Sequence, residues 1–399
     1  MSNWEVKTLG EFLTLQRGYD LTAAQRTLGC VPVMGAGGKN GTHGISKATG
    51  PGVVVGRSGS SFGQVYLTEV DFWPHNTSMY VKDFKGNDAY FTYYLLKNLD
   101  FNRLNSGSAQ PSLNRNFVYP VKVQVPDPRE QHSIAAVLRN IDKKIELNNS
   151  INAELETMTQ TLYDYWFVQF DFPNADGAPY KASGGQMVYD KILKRDIPVD
   201  WEVSNLNRII SRSGTGLNPR SNFKLGEGSN YYVTIKSIDN GKIKLDDKCD
   251  RISDESLKII NNRSDLKVGD VLFTSIQPVG ETYFIQEKPT NWNINESVFT
   301  LRANTEQVTP EYLYMLLSSQ EMKAYTKQSS TGSIHKGIRH GVLKEFLLPF
   351  GGKEITKEFS KVLSPILKKQ ALIEKENRTL SETRDWLLPM LMNGQVTVK

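Results

Sequence analysis

Histidine and cysteine, the side chains that most often hold metals or act as nucleophiles, are scarce: five and two among 399 residues. Cys30 and Cys249 form no C-x-x-C pair. Such sparse thiol usage suits a reducing compartment, so a cytoplasmic protein is expected. No H-E-x-x-H, G-x-S-x-G or G-x-x-x-x-G-K-[ST] motif occurs, which argues against a zinc protease, a hydrolase elbow and a P-loop. No run approaches eighteen apolar residues, and "MSNWEVKTLGEF" has no apolar h-region. Neither a membrane span nor a signal sequence is expected. At 39% hydrophobic and 23% charged, the composition is that of ordinary globular domains, and the length suits two or three.

Acidic residues are missing locally. The windows Leu21–Thr68, Phe101–Pro126, Val203–Gly226 and Met322–Lys344 hold none, yet each carries three or more Lys or Arg. Acid-free loops rich in Gly, Ser and Asn suit a surface that faces a polyanion. Within the first window, residues 33–44 read "VMGAGGKNGTHG". Asn40 follows Gly38-Lys39 where a phosphate loop needs Ser or Thr, and the dinucleotide fingerprint fails at the same residue.

The chain repeats itself. "WEVKTLGEFL" at Trp4 returns as "WEVSNLNRII" at Trp201, and "GVVVGRSGSSFGQVYLT" at Gly52 as "GDVLFTSIQPVGETYFI" at Gly269. Aligned without a gap, the second pair matches Ser58 with Ser275 and Gly63 with Gly280. "WPHNTSMY" at Trp73 matches "WNINESVF" at Trp292, pairing Asn76 with Asn295. "NSGSAQPSLN" matches "STGSIHKGIR". Slowly growing offsets are expected of a duplicated unit with small loop insertions.

Each unit has two textures. The first is mixed, with short β-rich runs such as "GVVVG", "MYVK", "VLFTSI" and "SVFTLR", then a short helix, "YFTYYLLKNL" or "PEYLYMLLSSQ". The second is one long helix. Ile134, Leu138, Ile141, Ile145, Asn148, Asn152, Leu155, Thr159, Leu162 and Trp166 step 4-3-4-3. So do Phe359, Leu363, Ile366, Gln370, Ile373, Asn377, Leu380, Arg384 and Leu387. This is a heptad seam in which Asn152 and Asn377 fall at matching polar positions. Two such helices most simply pack on each other, antiparallel if the mixed domains lie at opposite ends; otherwise each seam receives a helix from another protein. The steps from Ile134 to Trp166 span roughly 48 Å. Val137, Ile151, Met158, Val362 and Leu367 exceed what one helix pair is expected to cover.

A nuclease pattern can be forced onto Pro126-Asp127, Asp142 and Lys144. Asp142 and Lys144 lie two apart on a helix and point to different faces, so they cannot converge on one cation. The N-P-P-Y-type tetrapeptide and F-x-G-x-G loop of amino-methyltransferases are absent. His335 and His340 share a basic loop without acidic or thiol partners, where phosphate or base contact is expected rather than a metal. No cofactor or catalytic residue is expected. A coiled-coil adaptor that binds proteins and a self-sufficient nuclease remain the competing classes.

The paired "WEVKTLGEF" and "WEVSNLNRI", "GPGVVVGRSGSSFGQVYL" with "WPHNTSMYV", and "GDVLF" with "NINESVFTL" resemble the specificity subunits of type I restriction–modification systems. The linker "VPDPREQHSIAAVLRNIDKKIELNN", the exit "LYDYWFVQFDF" and the terminal "RDWLLPMLMNGQV" extend the resemblance over essentially the whole chain. It implies an α+β fold with two mixed target-recognition domains joined by two long antiparallel coiled-coil helices. On that reading residues 1–126 are the first recognition domain and 127–170 the central spacer helix. Residues 171–351 are the linker and second recognition domain, and 352–399 the distal helix and tail. The implied partners are double-stranded DNA, two S-adenosylmethionine-dependent DNA adenine methyltransferase subunits and restriction/translocase subunits, with no membrane. Each domain would read one half of a split DNA target, and the helices would set the gap between halves.

Recognition domains vary, so no base-reading residue carries over by motif. Arg and Lys read guanine, and Asn and Gln read adenine. The candidates in the first unit are Lys39, Asn40, Arg57, Ser58, Asn76, Arg103, Ser108, Asn114 and Arg115. Those in the second are Arg220, Lys236, Ser275, Gln277, Asn295, Ser333, His335, Lys336 and Arg339. The Gly-Ser loops at Gly107-Ser108 and Gly332-Ser333 are favoured. The glycine-rich loop at 33–44 would let backbone approach the duplex while Lys39 and Asn40 reach phosphate or a base edge.

Overall fold

The computed structural model describes residues 4–107, 111–332 and 336–398. The chain packs as two compact units, residues 1–149 with 375–399, and residues 150–374.

The first unit is built on a four-stranded antiparallel sheet ordered Thr14–Arg17, Ser78–Asp83, Gly52–Gly56, Val65–Thr68. Gly52–Gly56 pairs on both sides and is buried throughout, as its unbroken "GVVVG" requires. A three-stranded sheet places Val31–Gly35 between antiparallel Gly38–His43 and parallel Trp73–Pro74. The strand Glu5–Thr8 pairs with the exit strand Lys122–Val125. A capping box between Thr8 and Glu11 then starts the short helix Leu9–Phe12.

The second unit repeats this plan. Its four-stranded sheet runs Ile210–Thr215, Val298–Ala303, Val271–Thr274, Thr282–Phe284. Asn230–Val233 lies between antiparallel Asp250–Ile252 and parallel Trp292–Ile294, and Glu202–Asn205 pairs with Leu347–Phe350. The helix read from "PEYLYMLLSSQ" is two helices, Pro310–Ser318 and Gln320–Ser329, because the Ser319 side chain caps the second. An added helix, Asp254–Ser264, has no counterpart among the described residues of the first unit.

The central helix covers Pro128–Tyr163 and ends in a π turn, Asp164–Val168; the distal helix covers Lys353–Met392. Asp127 caps the central helix by accepting from the Arg129 and Glu130 amides. In the first unit the helices run antiparallel. Arg384 donates to Asp142 at 2.8 Å, Lys144 pairs with Glu376 at 3.5 Å, and Asn148 donates to Asn377 at 2.9 Å. Asp142, which also accepts from the Tyr94 hydroxyl, and Lys144 thus serve separate structural pairs. In the second unit Gln370 reaches the Asn152 carbonyl at 3.5 Å, again antiparallel. Every seam side chain is buried or half-buried.

The cores hold a feature that the helical repeat does not display. The first unit's core joins Leu9, Phe91 and Leu95 to Ile134 and Leu138 from the start of the central helix. It also takes Leu388, Leu391 and Met392 from the end of the distal helix. The second core joins Leu313 and Leu316 to Tyr163, Trp166 and Phe167 from the end of the central helix and Phe359 from the start of the distal one. Each long helix therefore closes one core with its first turns and the other with its last. The expectation for spare apolar residues needs correction: Leu367 is buried in the second core and Val137 packs against the first. Met158 and Val362 are exposed.

Candidate nucleic-acid interface

In the first unit four loops converge on the end of the Gly52–Gly56 strand. Gly56 has no room for a side chain: a Cβ there would lie 2.0 Å from the Ser61 carbonyl oxygen and 2.8 Å from that of Ala36. The Arg57 amide donates to the Thr77 carbonyl at 3.1 Å, and the Leu113 amide to the Arg57 carbonyl at 2.8 Å. Ser58 bridges to Ser112, and the Ala36 amide donates to the Thr77 hydroxyl at 3.2 Å. The glycine-rich "VMGAGGKNGTHG" is a β-hairpin, with Gly38 in the left-handed region at φ +89°. Its turn packs against Thr77 and Ser61, leaving Lys39 and Asn40 exposed on the outer strand.

Lys39, Asn40, Arg57, Ser58 and Asn76 thus lie on or beside one surface, with Asn114 and Arg115 one and two residues beyond Leu113. Asn76 is bonded to Asp20, and Asn114 caps the turn that Arg115 opens. Arg57 is half-buried, and its Nε has no hydrogen-bond partner among the described residues. Arg103 is drawn aside by Asp100 at 3.1 Å. Ser108 lies outside the described residues.

The second unit builds the same convergence. The Ser275 amide and hydroxyl donate to the Ser297 carbonyl at 2.9 and 2.8 Å, and the Ile338 amide donates to the Ser275 carbonyl at 2.8 Å. The Gln277 amide donates to the Lys336 carbonyl at 3.1 Å, and the Asn295 amide to the Val233 carbonyl at 2.9 Å. Ser275, Gln277, Asn295 and Lys336 are therefore together. Lys236 follows Val233 on an exposed turn, and Arg339 starts the short helix His340–Lys344. Arg220 is exposed on a separate loop, while Ser333 and His335 lie outside the described residues. His340, expected to face phosphate or base, is half-buried against Phe299 with ring centroids 4.8 Å apart. Burial, and then Lys344, lower its pKa.

These bonds correct the gapless alignment. Gly56 pairs with Ser78 as Thr274 does with Val298, and Gly63 bonds back to Gly56 as Gly280 does to Thr274. The second loop is one residue shorter, so Ser275 is the counterpart of Arg57, not of Ser58. Likewise His75 bonds to Met34 as Asn295 does to Val233, and Ser78 to His75 as Val298 does to Asn295. Asn76 is thus matched by Glu296, a residue absent from the sequence candidates.

Along the helix pair of the second unit runs an apolar groove of about 680 Å³, lined by Ala153, Met158, Leu162, Tyr165, Val362 and Ile366. Among the described residues no group of three His, Cys, Asp or Glu side chains could hold a metal ion, and no helix is long and apolar enough to cross a membrane.

Two duplicated mixed domains with convergent polar loops, carried on long helices, define a DNA-specificity fold. Residues 1–157 and 198–382 match the type I restriction modification DNA specificity domain family, and the chain belongs to that family. It is similar to the specificity subunit of the type I restriction enzyme MjaIX of Methanocaldococcus jannaschii, 24% identical over 323 residues, 77% of this chain and 69% of that one. The HindI specificity subunit of Haemophilus influenzae is 23% identical over 337 residues, 72% of this chain and 71% of that one. A crystal structure of the type I S subunit of M. genitalium has the same fold, with a TM-score of 0.64 at 17% identity over 98% of this chain and 96% of that one. The chain is a non-catalytic DNA-recognition subunit of a type I restriction–modification complex.

Proposed function

We propose that residues 1–126 and 171–351 each read one half of a split DNA target through their convergent loops. The paired stretches of residues 127–170 and 352–399 space them. The observation that carries this reading is the repeated bonding of the Arg57 and Ser275 segments, each held between a turn and a polar loop. Backbone pinned on both sides holds neighbouring side chains in place for base edges, while nearby Lys and Arg meet phosphate. The apolar groove, with Met158 and Val362 exposed, supports docking of a methyltransferase subunit on the helix pair. The duplication supports two such subunits, to which restriction/translocase subunits join. The work is cytoplasmic, where the genome lies.

Methylome sequencing of cells that express this chain with its methyltransferase partner tests the reading. A two-part methylated motif with a fixed gap is expected, and motif loss when the chain is omitted. A continuous motif, or methylation that ignores this chain, overturns it. An adaptor that binds only proteins would show no salt-dependent affinity for DNA.

A further inference from the structure

The second recognition surface contains an acid where the first has an amide. Glu296 is exposed on the turn Asn295–Ser297, whose two ends are pinned to Val233 and Ser275. Among the described residues, its carboxylate has one polar neighbour, the Tyr232 hydroxyl at 3.4 Å. That hydroxyl has a single proton and lies 2.7 Å from the Leu217 carbonyl, to which it donates. The carboxylate is left with open acceptor capacity. Burial, and then the charge of Glu296, hold the Tyr232 phenol well above its usual pKa.

A bare carboxylate on the turn that bonds to the Ser275 segment repels a DNA backbone whatever its sequence. It favours binding only where it meets a donor. Phosphates offer none, whereas the major groove offers two exocyclic amino groups, cytosine N4 and adenine N6. At the matching position the first unit has no acid: Asn76 stands there, donating to the exposed carboxylate of Asp20.

We infer that Glu296 is a specificity-determining residue of the second domain, accepting a hydrogen bond from the exocyclic amino group of a cytosine or adenine in its half-site. The inference rests on the proposed reading of the convergent loops as the DNA face. It adds an acceptor to a surface whose other candidates are Lys, Arg, Ser, Asn, Gln and His.

The test uses the full chain with its methyltransferase partner, methylome sequencing, and competition binding on duplexes substituted at each target position. In Glu296→Gln, near-isosteric with the natural side chain, discrimination should fall about tenfold at one position of one half-site if cytosine is read there, and should hold or sharpen if adenine is, because Gln also reads adenine. The other half-site and the gap should be unchanged. Glu296→Ala should relax the same position, and the binding assay reads it even if methylation fails. An unchanged motif in Glu296→Ala, with uniformly tighter binding, would make Glu296 a solvated acid and overturn the inference. Gln277→Ala and Lys336→Ala separate the two failures. If they alter that half-site and Glu296 variants do not, the DNA face stands without Glu296. If none does, the face itself is misassigned.

Discussion

The first domain closes its Gly56–Gly63 loop on a glycine, and the second closes a loop one residue shorter on a threonine. Gly56 has two carbonyl oxygens within 2.8 Å of where a Cβ would sit. Thr274 has room for its side chain, and its hydroxyl donates to the Pro278 carbonyl and accepts from the Glu281 amide. The same sheet order thus supports two differently shaped rims, bearing Arg57 and Asn76 in one and Ser275 and Glu296 in the other. The strands hold the frame, and one residue more or less in a loop changes which side chain is presented. A duplicated fold can in this way read two different half-sites.

The largest effect should come from the core that the first domain borrows. Removing residues 386–399 takes Leu388, Leu391 and Met392 from it. At about 1.5–3 kcal/mol for each buried side chain, the loss approaches the whole stability of an ordinary domain, roughly 5–15 kcal/mol. Limited proteolysis should degrade residues 5–125 while 200–350 remain protected; equal protection of both would break the asymmetry.

The loop comparison is sharpened by exchanging its residues. Gly56→Thr should destabilise the first domain by roughly 1–3 kcal/mol through overpacking. Thr274→Gly should cost the second about 1 kcal/mol in broken hydrogen bonds. Urea unfolding of the two variants reads both, and equal costs would deny the difference in loop closure.

Recognition should divide along the same line. Alanine at Lys336 and Arg339 should weaken one half-site by about 1–3 kcal/mol for each base edge no longer read, and alanine at Arg57 only the other. Binding measured across salt concentrations decides: a uniform weakening for every sequence, with a shallower salt slope, means that these side chains touch phosphate alone.

The smallest change in stability should accompany a change in helix length. Both helices contribute to both units, so an insertion in the central helix alone would leave its partner short. Seven residues added after Asn149 and seven after Glu374 keep both seams in phase and lengthen each helix by roughly 10 Å. The gap in the methylated motif should grow by up to about three base pairs at 3.4 Å each, with both half-sites intact. An active complex with an unaltered gap would refute the helical ruler.

Local periodicity made much of this legible. Apolar runs marked Gly52–Gly56 and Val298–Ala303 as strands, and the 4-3 spacing marked both long helices, because those patterns follow from backbone geometry alone. The duplication was likewise readable, since repeated side chains in order need no coordinates. Long-range pairing was not. That Leu391 fills the first core, that Asn377 bonds Asn148, and that Ser275 stands where Arg57 does depend on residues brought together from far along the chain. Similarity of letters cannot choose between adjacent registers when a loop has one residue fewer; hydrogen bonds can, because a slip of one turns every side chain to the other face. Glu296 escaped notice for the same reason. In the sequence it is one acid outside the basic windows, and only the turn it shares with Asn295 and Ser297 brings it to the surface those windows build.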